Sequence, residues 1–239
     1  MDGQAEGLAG EPARGLTDEQ ADGQPGGEQA AGLRERKKQQ TRRALSEATI
    51  ALAVKRGWAN VRVEDIAAAV NVSERTFRNY FSGKAEAVAA THLDRMARVA
   101  RAVGERPAVE PLFEAIGTAL RFEFAPEDSA AHQQRTPRRQ HREAIWEVLT
   151  EPAVQAEVMR ADQAAQGVLA EAIAARTGTD AVADLYPKLV ASAVGAAMGA
   201  TLAHWLRADP PVPLAPLIDE ALHHLRTGLS SPDGAPAES

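Results

Sequence analysis

Hydrophobic positions recur at helical spacing along almost the whole of this chain. In the first such region, Leu45, Ala48 and Leu52 lie on one face of a predicted helix, which ends at Gly57. Breaks rich in proline, glycine and polar residues divide the pattern into further helices. These are predicted near residues 64–70, through Phe81, and at 84–103, 112–123, 138–149, 153–176, 181–206 and 214–228. No stretch sustains the alternation of period two that marks a strand, so the sequence predicts an all-α fold of about nine helices.

The two ends of the chain have a composition that does not favour a packed core. Residues 1–33 contain many glycine, glutamine and acidic residues and no aromatic residue, and residues 230–239 are similarly small and polar. Such segments cannot bury enough apolar surface to offset the entropy lost on ordering. Both ends are therefore predicted to be disordered, the first as an acidic tail. No apolar segment resembling a secretory signal follows the N-terminus, so a cytoplasmic location is expected.

Charge is distributed unevenly along the 239 residues. The whole chain has a formal net charge of −6, yet residues 34–91 carry twelve Lys/Arg and six acidic residues, a net charge of +6. The segments before and after it each have a net charge of −6. A compact basic segment within an acidic chain is typical of a nucleic-acid contact, because phosphates respond to local charge. A basic helix exposed to solvent would have the same composition, so charge alone does not decide between the two.

Residues for catalysis or metal binding occur in no familiar pattern. Cysteine is absent, which excludes disulfides, thiolate metal sites and a cysteine nucleophile. The sequence contains no Gly-x-Ser-x-Gly elbow, no phosphate-binding glycine-rich loop and no His-Glu-x-x-His motif. None of the six histidines pairs with another at four-residue spacing. The sequence thus predicts neither an enzyme nor a cofactor or metal site.

One apolar segment reaches the length needed to cross a membrane. Residues 189–206 contain no Asp, Glu, Lys or Arg. The bulky side chains of this segment fall on one stripe that includes Val190 and Met198, whereas the other faces carry small residues. This arrangement favours a helix buried within a bundle and predicts no membrane span. The pair Gly195 and Gly199 would let a second helix approach closely.

Residues 61–88 combine a short helix, a tight turn and a second short helix. Asn71 suits the left-handed backbone that a three-residue turn requires. Ser73 has the side-chain oxygen expected at the N-cap of the next helix. Phe77 and Phe81, four residues apart, are expected to bury one face of that helix. The opposite face is basic and carries an amide side chain, as in a helix that reads DNA.

This stretch resembles the TetR family of bacterial transcriptional regulators. The family's spacing is matched at Val63–Ala67, Val72–Ser73, Thr76–Phe77, Tyr80–Phe81 and Lys84. The order of residues in Arg75–Phe81 is most similar to the branch that contains mycofactocin-type and acyl-CoA-type regulators of actinobacteria. Two positions differ from the family pattern. Asn71 stands in place of the usual glycine, and Arg62 stands in place of a capping threonine, so the second helix is expected to have a different cap.

The resemblance runs from about residue 34 to residue 88 and implies the architecture of the rest. It implies a three-helix helix-turn-helix domain at residues 34–83, followed at 84–229 by a helical bundle that binds an effector and forms a homodimer. The expected protein is a ligand-responsive repressor that binds a palindromic operator and is released by a small apolar effector. An activator, or a regulator with no natural small ligand, remains an alternative within this class. A helical protein-interaction module, whose basic region serves partner binding, is the alternative from another class.

The resemblance also implies which residues contact double-stranded operator DNA. Arginine can form a bidentate pair with guanine and glutamate can accept a hydrogen bond from cytosine, so Glu74, Arg75 and Arg78 are expected to face base edges. Hydroxyl groups, amides and lysine suit phosphate oxygens. The remaining expected DNA contacts are Ser73, Thr76, Asn79, Tyr80 and Lys84, with a basic arm at Arg34, Arg36, Lys37 and Thr41.

The C-terminal part offers weaker candidates for an effector site and a dimer interface. An apolar pocket is expected to be lined by Met96, Phe113, Phe122, Trp146 and Met159, with Arg121 and Arg142 placed to neutralise an anionic end of the ligand. Core packing is an alternative role for each apolar residue, and surface ion pairing for each arginine. The dimer interface is expected at Gly195, Gly199 and Leu202, together with the helix at 214–228.

Overall fold

The computed structural model describes residues 25–125 and 139–229, and every long element in this part of the chain is an α-helix. The helices are α1 (Pro25–Arg56), α2 (Val63–Ala69), α3 (Glu74–Arg78), α4 (Lys84–Glu105), α5 (Leu112–Phe124), α6 (Arg139–Thr150), α7 (Pro152–Thr177), α8 (Leu185–Arg207) and α9 (Leu214–Thr227). A short 3-10 turn, Trp58–Asn60, follows α1. Over the described residues, the prediction of an all-α fold of about nine helices is confirmed.

Helix α1 begins earlier than the composition predicted. Residues 25–33, expected to be disordered, are helical. Proline is tolerated at the start of a helix because the first N–H groups have no partner there, and lengthening an existing helix needs no new nucleation. The other parts of the predicted tails, residues 1–24 and 230–239, lie outside the described residues. The chain divides into two compact units, Met1–Lys38 and Gln39–Ser239, and the contacts given below belong to the second.

The first of two hydrophobic cores is built around the short helices. Leu45 of α1, Ile66 of α2, Phe77 of α3 and Phe81 are all buried in it. The ring centroids of Phe77 and Phe81 are 5.6 Å apart, within the range of favourable aromatic pairs. Val154 of α7 joins this core from far along the chain. Helices too short to be stable alone are thus held by large side chains.

The second core lies among α4, α5, α7, α8 and α9. Its fully buried members include Val99, Leu120, Leu169 and Ile218, one from each of four helices. Helix α4 packs along α7 and contributes to both cores, since Ala87 near its start belongs to the first core. The domain boundary predicted near residue 83 therefore coincides with the start of a helix that the two cores share.

Two arginines satisfy carbonyl groups at the ends of other helices. Arg176 of α7 donates to carbonyls at and beyond the end of α4, including those of Arg106 at 2.9 Å and Glu110 at 2.6 Å. Arg142 of α6 donates to the carbonyl of Trp205 near the end of α8 at 2.8 Å. The last carbonyls of a helix have no partner within the helix. These contacts therefore tie together helices that are distant in sequence.

Helix α8 is the one helix among the described residues that is long and apolar enough to cross a membrane. Its predicted stripe faces the protein interior: Val190, Val194 and Met198 are buried in the second core, and Leu202 packs against that core. Length and composition of a single helix are weak evidence for a span, because a core helix has the same properties. The stripe is explained by packing, as predicted.

Candidate nucleic-acid interface

Helix α2 is capped by a residue of its own first turn. Oδ2 of Asp65 accepts a hydrogen bond from the backbone N–H of Arg62 at 2.9 Å, and Oδ1 accepts one from Nη1 of Arg56 at 3.0 Å. The Arg62 N–H is the main cause of the lowered pKa of Asp65, with Arg56 adding to it. Asp65 thus supplies the half of a capping box in which the third residue accepts from the cap N–H, and no side-chain hydrogen bond from Arg62 takes the place of the usual threonine.

The turn between α2 and α3 has the left-handed backbone predicted at Asn71. Its φ is 57°, a region that asparagine adopts more readily than most other residues. Val72 then donates its N–H to the carbonyl of Ala67 at 3.0 Å. Ser73 caps α3 as predicted, since its Oγ accepts from the backbone N–H of Thr76 at 3.1 Å. The turn and the cap together fix the direction in which α3 leaves α2.

Helix α3 has one buried face and one exposed polar face. Phe77 is completely buried, whereas Arg75, Arg78 and Asn79 are exposed. Nη2 of Arg78 lies 3.5 Å from Oε2 of Glu74, an exposed ion pair that contributes little to stability. The structure therefore brings together, on one accessible face, the side chains predicted to read base edges.

The residues at the margins of this face are partly buried. Thr76 and Tyr80 are half-buried, and the hydroxyl groups of Thr76 and Ser73 are 2.9 Å apart. Helix α3 ends at Arg78, whereas the pattern predicted a helix through Phe81. The N–H of Phe81 still donates to the carbonyl of Phe77 at 3.0 Å, so a turn carries Phe81 into the first core.

Lys84, predicted to contact phosphate, is engaged within the fold. Its Nζ donates to the carbonyls of Trp58 at 2.6 Å and Val61 at 2.9 Å, and lies 4.2 Å from the centroid of the Trp58 ring. Burial lowers the pKa of Lys84. An ammonium group has three donors, of which these carbonyls use two. Its observed contacts join the start of α4 to the residues that follow α1.

The predicted basic arm lies on a helix and not on an extended chain. Its side chains are exposed at Arg34, Arg36 and Lys37 and half-buried at Thr41. Arg42, which the pattern did not distinguish from its neighbours, donates from Nη1 to both carboxylate oxygens of Asp94, at 2.7 Å and 2.9 Å. Its guanidinium carbon also lies 5.2 Å from the centroid of the Phe81 ring. Arg42 thus links α1, α4 and the first core.

The candidate effector contacts do not converge. Met96 is buried in the second core, whereas Phe122 and Met159 are each 71% exposed. Helical phase explains the exposure. Phe122 lies two residues after the buried Leu120, and Met159 lies two before the buried Ala161, so each points away from the core. The prediction that these side chains line one pocket is wrong.

The other four effector candidates line two separate clefts. Arg142 and Trp146 face a cleft of about 370 Å³ beside the end of α8, and Phe113 and Arg121 face one of about 450 Å³ between α5 and α9. Both arginines already have partners. Arg121 forms an ion pair with Asp219, and Arg142 donates to carbonyls at the end of α8. An anionic ligand at either position would compete with these contacts.

The three residues predicted for the dimer interface have different surroundings. Gly195 faces α7, where Nε2 of Gln166 would lie 3.4 Å from an added Cβ, and Leu202 packs against the second core. Gly199 is exposed, with no atom within 4 Å of an added Cβ. It belongs to an exposed row of α8 formed by Leu185, Leu189, Ser192, Ala196 and Gly199.

Comparison with known proteins decides the family. Residues 45–91 match the bacterial regulatory proteins of the tetR family, and residues 110–230 match the MftR C-terminal domain. The chain is 32% identical over 210 residues to the HTH-type transcriptional regulator TcmR of Streptomyces glaucescens, an alignment that covers 83% of this chain and 88% of that protein. The chain belongs to the TetR family. The MftR match also agrees with the branch suggested by Arg75–Phe81.

Two solved structures of bacterial regulators have a similar fold. A TetR-family transcriptional regulator from Syntrophomonas wolfei matches with a TM-score of 0.54 at 18% identity, over 81% of this chain and 98% of that one. The fatty acid degradation regulator FadR of Bacillus halodurans matches with a TM-score of 0.52 at 16% identity, over 79% and 96%. The sequence matches show that this TetR-family chain is a transcriptional regulator with an N-terminal helix-turn-helix and an MftR-type C-terminal domain.

Proposed function

We propose that this TetR-family protein is a cytoplasmic, homodimeric repressor that binds a palindromic operator and is released by a small, largely apolar effector. The observation that carries the proposal is the geometry of α3. Arg75 and Arg78 are exposed on one face, and Phe77 anchors the other face in the first core. A helix held in this way can enter the major groove, where arginine pairs with guanine. In a two-fold dimer, two such helices would read inverted half-sites.

Helix α4 supplies a physical route from an effector to DNA. It starts six residues after the end of α3 and contributes side chains to both cores. The ion pair of Arg42 with Asp94 also connects it to α1. A displacement of α4 would shift α3 in each protomer and change the separation of the two reading helices. An effector that prefers the shifted form weakens operator binding by the same factor by which the operator weakens effector binding.

The exposed row of α8 is the proposed dimer interface. Leu185 is 74% and Leu189 58% exposed in the single chain, which leaves an apolar surface uncovered next to small residues. Contiguous apolar surface of this kind marks an interaction site. Two copies of the row packed across a two-fold axis would cover it, and Gly199 leaves space for the close approach of a helix.

The role of α3 is tested with Arg78→Ala. This change should weaken binding to the cognate operator by about 1–3 kcal/mol and relax base preference at one position of each half-site, because a bidentate contact is lost. Selection of binding sites from random DNA, followed by titration of the selected operator, measures both effects. Thermal stability should be unchanged, since Arg78 is exposed.

Arg101→Ala is the matched control. It removes the same charge from an exposed position of α4 and should leave base preference as in the wild type. Loss of affinity in Arg78→Ala with an unchanged selected sequence would assign Arg78 to phosphate and not to base contact. Failure of the wild-type protein to select any sequence would overturn the proposed function.

The dimer interface is tested with Gly199→Leu. Leucine favours a helix, and an added Cβ at this exposed position meets no neighbouring side chain, so the monomer should remain folded while the bulky side chain separates the two copies. Sedimentation velocity at micromolar concentration should show a wild-type dimer and a variant shifted toward monomer. Gly195→Ala, whose added Cβ faces Gln166 within the chain, should retain the dimer. A dimer of equal strength in Gly199→Leu would exclude this row as the interface.

A further inference from the structure

A third cleft, of about 630 Å³, lies among α1, α4 and α6. Its apolar wall is formed by Ile50, Ala51 and Val54 of α1. Its polar wall includes Ser46 of α1 and Thr91, Asp94, Arg95 and Arg98 of α4, with Arg43, Glu47, Lys55 and His141 completing the lining. No candidate residue for an effector or DNA contact lies in this cleft, and the sequence pattern did not distinguish it.

Unpartnered polar atoms are concentrated in this cleft. Among the described residues, four buried side-chain nitrogen or oxygen atoms have no hydrogen-bond partner, and three of them belong to residues that line it: Oγ of Ser46, Oγ1 of Thr91 and Nε of Arg95. Ser46 is only 1% exposed. Native proteins pair nearly all such groups, so an unpaired group calls for an explanation such as an absent ligand.

Arg95 also has no ion-pair partner within the described part of the chain. Its guanidinium carbon lies 4.8 Å from the centroid of the Phe124 ring, and no carboxylate of the described residues forms an ion pair with it. Burial and the neighbouring Arg98 lower the pKa of Arg95, and the opposing effect of Glu123 is smaller. Buried charges are normally paired, because desolvation without a partner is costly.

Four other charged side chains around the cleft are already paired, and Lys55 is exposed to solvent. Arg43 pairs with Glu47 at 2.7 Å, Arg98 pairs with Glu123 at 2.8 Å, and Asp94 pairs with Arg42. Among the described residues that line the cleft, one half-buried guanidinium group without an ion-pair partner therefore remains, together with two unpaired hydroxyl groups. This set balances a single negative charge, and the nearby carboxylates of Glu47 and Asp94 would disfavour a dianion.

We infer that this cleft binds a monoanionic amphiphile, whose carboxylate accepts hydrogen bonds from Arg95, Ser46 and Thr91 and whose apolar chain lies along Ile50, Ala51 and Val54. The ligand replaces the missing acceptors, and its carboxylate supplies the counter-charge for Arg95. Arginine with two hydroxyl donors is a typical carboxylate receptor, since charge-assisted hydrogen bonds are the strong ones.

The location of the cleft gives such a ligand a regulatory effect, and this part of the inference rests on the proposed function. Ser46 is adjacent in sequence to Leu45 of the first core, and Arg95 is adjacent to Met96 of the second. A ligand that contacts both Ser46 and Arg95 therefore alters the packing of α1 against α4. Its binding is linked to the position of α3 and hence to operator affinity.

The probe for the test is decanoate, used below its aggregation concentration with the full-length protein. Decanoate should raise the thermal unfolding temperature of the wild type in a concentration-dependent way, because it binds the folded state. Isothermal titration should show that Arg95→Met weakens this binding by about tenfold or more and Ser46→Ala by a smaller factor. Decanol, which lacks the charge, and inorganic phosphate, which lacks the chain, should bind weakly or not at all.

The stability of the variants without ligand shows whether Arg95 serves to bind a ligand or to stabilise the fold. Without ligand, Arg95→Met should be at least as stable as the wild type, since it removes a buried charge without a partner. Arg101→Met, at an exposed position of α4, should leave both decanoate binding and stability unchanged. Absence of decanoate binding to the wild type, full binding by Arg95→Met, or a large loss of stability in unliganded Arg95→Met would each overturn the inference.

Operator binding is measured separately on the same proteins. Decanoate should release operator DNA from the wild type and not from Arg95→Met. Decanoate binding without release of DNA would retain the site and refute its regulatory effect. Decanoate binding by a protein that recognises no operator would retain the site while the proposed function fails.

Discussion

The arginines of the helix-turn-helix and those of the C-terminal bundle have opposite roles. On α3, Arg75 and Arg78 point into solvent, and of these two only Arg78 has an ion-pair partner among the described residues, the half-buried Glu74. In the bundle, Arg142 and Arg176 turn inward and donate to backbone carbonyls at the ends of α8 and α4. The difference follows from what lies within reach of each side chain. A helix end nearby offers unpaired carbonyl oxygens, and an arginine then becomes a structural link.

The two cores differ in a parallel way. The first includes the short helices α2 and α3 and the buried rings of Phe77 and Phe81, whereas the buried members of the second are aliphatic residues and methionines from longer helices. Short helices gain little from internal hydrogen bonds and depend on caps and on a few buried rings. In long helices the buried apolar surface is divided among many side chains, so each one contributes a smaller share. Truncation of a single large side chain should therefore destabilise the first core most. The second core should be destabilised most by loss of the arginine hydrogen bonds that hold its helices together.

The largest effect is expected from Phe77→Ala. Phe77 is completely buried between α3 and the rest of the first core, so its truncation should lower the free energy of unfolding by about 3–5 kcal/mol through lost burial and a cavity. Denaturant titration followed by circular dichroism measures the change. Phe122→Ala, at a side chain that is 71% exposed, should change stability little. Equal losses in the two variants would refute the assignment of Phe77 as the anchor of α3.

A smaller effect is expected from Arg176→Met, which keeps an apolar stem and removes the guanidinium donors. The carbonyls of Arg106 and Glu110 lose this partner, which should cost about 1–3 kcal/mol of unfolding free energy. Thermal unfolding measures the loss, with the exposed Arg101→Met as control. Operator affinity of the folded protein should not change, in contrast to Arg78→Ala. If Arg176→Met were stable but bound DNA poorly, the assignment of the α3 arginines to DNA binding and of the bundle arginines to stability would be refuted.

The smallest effect is expected from Asp65→Asn and depends on pH. The lowered pKa of Asp65 means that the folded state binds its proton less readily than the unfolded state. Its stabilising contribution is therefore present above the ordinary carboxyl pKa and is lost as pH falls through the folded-state pKa. Thermal unfolding of the variant and the wild type should differ at neutral pH and converge in acid. A difference that persists unchanged in acid would show that the carboxylate charge is not the cause.

Much of the first region was predictable because its determinants are local. The left-handed turn at Asn71 and the cap by Ser73 depend on residues within three or four positions, and both were predicted. The contacts of Lys84 were not, because its partners Trp58 and Val61 are 26 and 23 residues away. For α2, the sequence predicted only that the cap would differ from that of the family, because Arg62 replaces a threonine. The structure shows that Asp65 accepts the hydrogen bond from the N–H of Arg62.

The helical periodicity, the turn at Asn71, the burial of Phe77 and Phe81 and the resemblance to the family all follow from the order of the amino acids. Each depends on nearby residues, which restrict backbone angles and helix faces directly. Which arginines are exposed and which are structural depends instead on contacts between distant parts of the chain. Arg142 donates to the carbonyl of Trp205, 63 residues away, and Arg176 to that of Arg106, 70 residues away. A local sequence pattern cannot predict hydrogen bonds over such separations. The same holds for the cleft at Arg95, since the lack of an ion pair within the described residues is not visible in the order of the amino acids.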